Sequence, residues 1–176
     1  VFCGSRYGDK KTFKLAAEET GKMLAKNKWR LVYGAGDIGL MGALANGCQN
    51  NGGNTFGVIP KHLLQEEVGK TDLSTFIITE SMHERKKLMF TNCNAIVTLP
   101  GGVGSLDEFF EILTWTQLGI STKPLYLLNI DGYWDLVIQL IDQMVNQGFA
   151  EGSLLNKFTI INSVAELETN LLNIFS

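Results

Sequence analysis

The sequence predicts an α/β fold, a doubly wound parallel sheet of about seven strands with helices on both faces. Three observations predict it. Short apolar runs rich in Val, Ile, Leu and aromatics alternate along the whole chain with amphipathic stretches of helical period. Four of the seven apolar runs stop at glycine or proline. With 176 residues and no linker, repeat or low-complexity segment, the chain reads as one domain, 1–176, large enough for a full core.

The elements follow in order. Val1-Phe2-Cys3 reads as a strand that ends at Gly4-Ser5-Arg6. Residues 9–27 carry Phe13, Ala16, Ala17, Met23 and Leu24 at helical spacing, with lysines between. Trp29 to Tyr33 is a strand ending at Gly34-Ala35-Gly36, and 38–50 is a helix closed by Asn51-Gly52-Gly53. Thr55 to Ile59 is a strand stopped by Pro60, and 61–69 a short helix or loop. Strand 76–79 precedes a helix over 82–93, and strand 95–99 a helix through about Gln117. Strand 125–128, helix 134–147, strand 158–161 and helix 164–175 complete the chain.

Composition excludes several classes. Apolar residues at 45% and charged residues at 19% are those of a globular protein, not a disordered one. A net charge of −3 argues against a nucleic-acid binder, which needs a basic face. No apolar run reaches the roughly 18–20 residues of a membrane span. Nothing at the start reads as a secretory signal, so the expected location is cytoplasmic. Cys3, Cys48 and Cys93 are widely spaced, and His62 and His83 have no partners at ligand spacing. No metal site or disulfide is expected, and the cysteines read as small buried residues.

The chemistry concentrates in residues 98–111. There Thr98-Leu99-Pro100-Gly101-Gly102-Val103-Gly104-Ser105 ends a strand and opens a helix that carries Asp107, Glu108 and Glu111. Such a junction aims bare backbone N–H groups and the positive end of a helix dipole at one spot, which suits a phosphate. Glycine lets that ligand approach the backbone closely. Glu108 admits two readings. Ser105-Leu106-Asp107-Glu108 is also a capping box, S-x-x-E, which involves no catalysis. A cap alone, however, does not require Pro-Gly-Gly-x-Gly before it.

Two further signals fall at the same edge of the sheet. Gly34-Ala35-Gly36-Asp37-Ile38-Gly39 has the spacing of a dinucleotide fingerprint, G-x-G-x-x-G. A dinucleotide site also wants an acidic residue about 20 positions on for the ribose, and none occurs between Asp37 and Glu66. A mononucleotide contact or a plain tight turn is the better reading. In the helix of 82–93, Met82, Arg85, Met89 and Cys93 share one face, so Arg85 falls in the apolar stripe. A buried cation must be paired. It makes a structural ion pair, or lays its aliphatic stem along the core edge, or faces a phosphate or catalytic carboxylate. The absence of G-x-x-x-x-G-K-[ST] disfavours ATPase or kinase chemistry.

Taken together, these segments resemble one family. Pro100 to Glu108 is similar to the P-G-G-x-G-T-x-x-E signature of the LONELY GUY family, and Met82-His83-Glu84-Arg85-Lys86 to its M-H-x-R-K motif. The resemblance extends through Phe2-Cys3-Gly4-Ser5, Val32 to Gly42, Thr114 to Gly119 and Leu128-Asn129-Ile130-Asp131-Gly132-Tyr133. It implies a Rossmann-like fold, a homodimer, and hydrolysis of cytokinin riboside 5′-monophosphates, with AMP as a further substrate, to free base and ribose 5-phosphate. It also implies no cofactor. An older lysine decarboxylase label would require pyridoxal phosphate, for which no lysine here stands in a recognisable context.

Carried over residue by residue, the resemblance makes Glu108 and Arg85 catalytic. Gly101, Gly102, Gly104 and Ser105 would hold the phosphate, and Lys86 and either Glu67 or Glu66 would touch the substrate. Ser5, Gly36 and Met82 complete the expected binding set. Ser105 replaces the usual threonine, and Ala35 stands where many members have a third glycine. A non-catalytic nucleotide- or molybdenum-cofactor-binding protein could use the same loop. The pairing of Arg85 with Glu108 favours an enzyme.

Overall fold

The computed structural model describes residues 1–64, 66 and 68–175. In chain order the elements are α1 (Lys11–Lys26), β1 (Leu31–Tyr33), α2 (Gly39–Gln49), β2 (Thr55–Pro60) and β3 (Thr75–Thr79). There follow α3 (Met82–Thr91), β4 (Ile96–Thr98), α4 (Val103–Gln117), β5 (Leu125–Leu128), α5 (Asp135–Asn146), β6 (Thr159–Ile161) and α6 (Val164–Phe175). Short 3₁₀ turns lie at Lys61–Leu63, Ile130–Gly132 and Gly152–Asn156.

All ladders are parallel, as the strand–helix alternation predicts. The strands form two three-stranded sheets, β1-β2-β3 and β4-β5-β6. The expected first strand is reduced to a single bridge between Phe2 and Thr98. The Phe2 amide donates to Val97 O (2.8 Å), Leu99 donates back to Phe2 O (2.9 Å), and the Val1 nitrogen donates to Val32 O (2.6 Å). Residues 1–3 therefore lie between β1 and β4 and join the two halves. The segment is too short for a ladder because Gly4 turns at once, its amide donating to Pro100 O at 3.1 Å.

This order sets the site. The chain runs outward from residues 1–3 through β1 and β2 to β3, then returns to β4 on the other side. The loops after residue 3 and after β4 thus diverge at the switch point, where a doubly wound sheet leaves a crevice at its carboxyl edge.

Alternation along the strands divides the core between the two sheet faces. Leu31, Tyr33, Val97, Leu99, Tyr126 and Leu128 pack with α1, α2 and α6. Val32, Ile96, Leu125 and Leu127 pack with Met89 of α3, Phe109 and Leu113 of α4 and Ile141 of α5. The apolar positions read from 9–27, namely Phe13, Ala16, Ala17, Met23 and Leu24, are all buried. Cys3 and Cys48 are buried as expected, whereas Cys93 is half-buried. Burial pushes the Cys48 thiol up to about 11, which keeps it protonated and inert. Among the described residues, no helix is long and apolar enough to cross a membrane.

Candidate active site

A cleft of about 300 Å³ opens at the switch point. Its floor comes from the turn after residue 3 (Gly4, Ser5) and from Gly34 at the end of β1; α3 supplies Met82, Arg85 and Met89. The start of α4 closes it with Gly102, Val103, Gly104, Ser105, Asp107 and Glu108. Of the expected site residues, the fold brings seven to this one lining: Ser5, Met82, Arg85, Gly102, Gly104, Ser105 and Glu108.

The glycine junction forms a helix N-terminus, with a shifted cap. Gly102 is the N-cap, and its carbonyl accepts the first helical bond from Leu106 (3.1 Å). Ser105 is therefore already inside the first turn and Glu108 in the second, so the S-x-x-E box at 105–108 does not form as a cap. That arrangement occurs instead where the sequence reading placed none. Ser81 accepts from Glu84 N (3.2 Å) while Glu84 accepts from Glu80 N (3.0 Å), and Ser163 and Glu166 repeat it at α6. Glu108 is thus released from a capping role and lines the cleft.

The glycines of this junction differ in their reasons. A Cβ on Gly101 would lie 2.1 Å from Ser105 Oγ, so Gly101 is required by packing. A Cβ on Gly102 or Gly104 would meet no protein atom within 4 Å, yet both residues line the cleft. A methyl there would take up cleft space. Gly104→Ala should therefore leave the melting temperature unchanged or raise it slightly, alanine being favoured over glycine in a helix by about 0.5–1 kcal/mol. The same change should weaken binding of a phosphorylated ligand at least tenfold in calorimetry, by blocking close approach to the helix amides.

Arg85 is the only cationic side chain among the described lining residues and is 5% exposed. Its Nε donates to Val58 O (3.1 Å) and its Nη2 to Gly34 O (2.9 Å), while Nη1 lies 3.9 Å from Met82 Sδ. The guanidinium therefore clasps the carboxyl ends of β1 and β2, which explains how the apolar stripe of α3 tolerates it. Gly34 has to be glycine for this clasp, since its Cβ would lie 2.1 Å from Nη2.

Gly101 is absent from the cleft lining, and two further expected contacts, Lys86 and Gly36, fall elsewhere. The Lys86 amine lies on Asp107 (3.1 Å) and Glu111 (3.2 Å) of α4, outside the cleft lining. Burial works against its charge, but the two carboxylates outweigh it and hold its pKa above the ordinary lysine value. Gly36 is buried and bridged to Gly69. Its loop is tied further by Asp37 N to Val68 O (3.0 Å), Lys70 N to Ala35 O (2.8 Å) and the Lys70 amine on Asp37 and Asp72 (both 3.1 Å). Glu67 lies outside the described residues, and its neighbour Glu66 is exposed. The third glycine of the fingerprint, Gly39, has φ +63°, and Leu40 N donates to Gly4 O (3.1 Å). The N-terminus of α2 is thus engaged with the protein's own backbone and not presented as a second phosphate seat.

Sequence reasoning passed over Gly34, Asp107 and Met89, which line the cleft, and Tyr133, whose hydroxyl reaches Gly101. Gly34 stood in the fingerprint and Tyr133 in the 128–133 segment, but only the tertiary fold shows what either one touches. Among the described residues no three His, Cys, Asp or Glu gather as a metal site.

Comparison with known proteins places this geometry in context. A family model described as "Possible lysine decarboxylase" matches residues 41–171. A protein of Oryza sativa subsp. japonica, "Probable cytokinin riboside 5′-monophosphate phosphoribohydrolase", is 42% identical over 97% of this chain and 74% of its own length. A cytokinin riboside 5′-monophosphate phosphoribohydrolase of Arabidopsis thaliana is 43% identical over 85% of this chain and 70% of its own. Among solved structures, the molybdenum cofactor binding protein of Rippkaea orientalis superposes with a TM-score of 0.73. It is 20% identical, covering 97% of this chain and 92% of that one, and at that identity the likeness is one of fold. The decarboxylase description does not fit the cleft. A Schiff base with pyridoxal phosphate needs a lysine amine, and no lysine is among the described lining residues.

Proposed function

Because this chain belongs to the family of the cytokinin riboside 5′-monophosphate phosphoribohydrolases, we propose that its cleft hydrolyses the N-glycosidic bond of a nucleoside 5′-monophosphate. The substrates are cytokinin riboside 5′-monophosphates and AMP, and the products are free base and ribose 5-phosphate. One observation carries the reading: the amino end of α4, Glu108 and the buried Arg85 open into the same cleft.

The chemistry follows from that placement. The 5′-phosphate sits on the N-terminal amides of α4 and beside Ser5, where charge and close approach both favour it. This remote binding energy sets the anomeric carbon beside Glu108. As the sugar–base bond breaks, positive charge builds on the ribosyl ring, and a carboxylate stabilises it. Glu108 then takes a proton from the attacking water, whose oxygen bonds to the anomeric carbon, while the base leaves with the bonding pair of the broken C–N bond. The proton held by Glu108 passes to the departing base, directly or through solvent, which restores the carboxylate. Arg85 orients Glu108 and the substrate from its seat on Val58 O and Gly34 O. Lys86 acts through α4, holding Asp107 at the cleft rim. Met41, Met82 and Met89 supply an adaptable apolar wall for the base.

Incubation with AMP and with isopentenyladenosine monophosphate tests the proposal. Free adenine or isopentenyladenine on chromatography supports it. Tight nucleotide binding with no base released overturns it in favour of a carrier.

We also infer a homodimer. Val103, Leu106, Phe110 and Trp115 line an open hollow on the outer side of α4 beside the cleft, and Val103 is 84% exposed. A solvated monomer rarely leaves such a patch beside its active site. Sedimentation equilibrium should give twice the chain mass, and Val103→Asp should shift it toward the single chain.

A further inference from the structure

The segment 128–133 is built with more care than a connection between β5 and α5 requires. Asn129 is buried, accepting from Trp134 N (2.7 Å) and donating to Asp135 (2.8 Å). Asp131 takes a left-handed φ of 53°, and its carboxylate accepts from Thr12 Oγ1 (2.7 Å) and lies 3.7 Å from the Lys10 amine. Gly132 follows at φ 72°, where a Cβ would also approach Asp135 Oδ2 to 2.7 Å. Two consecutive left-handed residues reverse the chain sharply and send Tyr133 back toward the glycine loop.

The Tyr133 ring is clamped edge-on between Phe13 (5.2 Å between centroids) and Trp134 (4.7 Å). Its hydroxyl donates to Gly101 O at 2.6 Å. No peptide bond in the described chain is cis. In a planar trans peptide, C=O and N–H point to opposite sides. Holding Gly101 O toward Tyr133 therefore turns the Gly102 N–H away from Tyr133, and Gly102 is a residue of the cleft lining.

We propose that Tyr133 is a positioning residue for phosphate binding: its hydroxyl locks the Gly101–Gly102 peptide so that the Gly102 amide faces the ligand's phosphate. A glycine–glycine peptide is the one most able to flip, because neither flanking residue has a Cβ to resist it. A flip would present a carbonyl oxygen to the phosphate in place of an N–H. Tyr133 is not among the residues that line the cleft, and its effect travels through one hydrogen bond.

The proposal rests on the phosphate seat assigned above, so its test reads anion binding apart from turnover. Tyr133→Phe keeps the ring and its packing and removes only the hydroxyl. In calorimetry with ribose 5-phosphate, the dissociation constant should rise about three- to tenfold, the loss expected for one neutral hydrogen bond. With AMP, KM should rise by a similar factor while kcat stays within twofold. Binding of adenine, which has no phosphate, should not change, and the melting temperature should stay within a few degrees. An unchanged ribose 5-phosphate constant, or an equal loss for adenine, overturns the proposal. If ribose 5-phosphate binds the wild type but AMP is not cleaved, the hydrolase reading fails while the role of Tyr133 is still decided by the binding data.

Discussion

Glu108→Gln is expected to lower kcat for AMP hydrolysis by about 10³-fold, within the range for loss of a positioned acid–base group, while the dissociation constant for AMP stays within about threefold of wild type. The amide has the shape of the carboxylate but no charge to stabilise a ribosyl cation and no basic oxygen to take the water's proton. Binding is expected to persist because the proposed phosphate seat, the amides at the start of α4, is not touched by the substitution. The fold should persist too, since Glu108 is half-exposed and lies in the second turn, away from the Gly102 cap. Single-turnover chromatography measures the first quantity and calorimetry the second. Near-normal turnover would remove Glu108 from the mechanism, and loss of binding alone would make it a substrate anchor.

Arg85→Lys should lower kcat/KM by at least about 10²-fold, although the charge is kept, because one ammonium cannot reproduce a planar fork. The two carbonyls, Val58 O on β2 and Gly34 O at the end of β1, are met by separate nitrogens of the fork, and a single lysine nitrogen is expected to leave one of them without its donor. That orphan costs about 1–3 kcal/mol, a fall of several degrees in melting temperature for a domain of this size. Gly34→Ala reaches the same place by another route: its new Cβ would sit 2.1 Å from Nη2 and push the guanidinium off its seat. Agreement between the two variants in kcat/KM would assign the loss to the position of the guanidinium. A destabilised Arg85→Lys enzyme with unchanged kcat/KM would leave Arg85 a purely structural clasp.

Much of this was legible in the sequence, for reasons of periodicity. Alternation of period 2 at Leu31-Val32-Tyr33 and helical spacing at Phe13, Ala16, Ala17, Met23 and Leu24 depend only on which face must be buried. They survive folding unchanged. The glycine junction and the apolar stripe holding Arg85 also read correctly, because a strand-to-helix turn and a buried cation are local anomalies. The capping reading of 105–108 stayed open in the sequence because an S-x-x-E pattern does not say where its helix begins. Gly102 does so three residues earlier, through its carbonyl bond to Leu106.

Local pattern in the sequence was enough for the fold class and, through the resemblance of its motifs, for the family, and it placed Glu108 and Arg85 at one edge of the sheet. The partners of the surrounding side chains came from the tertiary structure alone. It reduced the first strand to a bridge at Phe2, turned Lys86 onto Asp107 and Glu111, closed Gly36 against Gly69, and set Tyr133 on Gly101 O. Each of these joins residues from different elements. No local pattern encodes such partners, because they are chosen by which loops the crossover at the switch point brings to the same edge of the sheet.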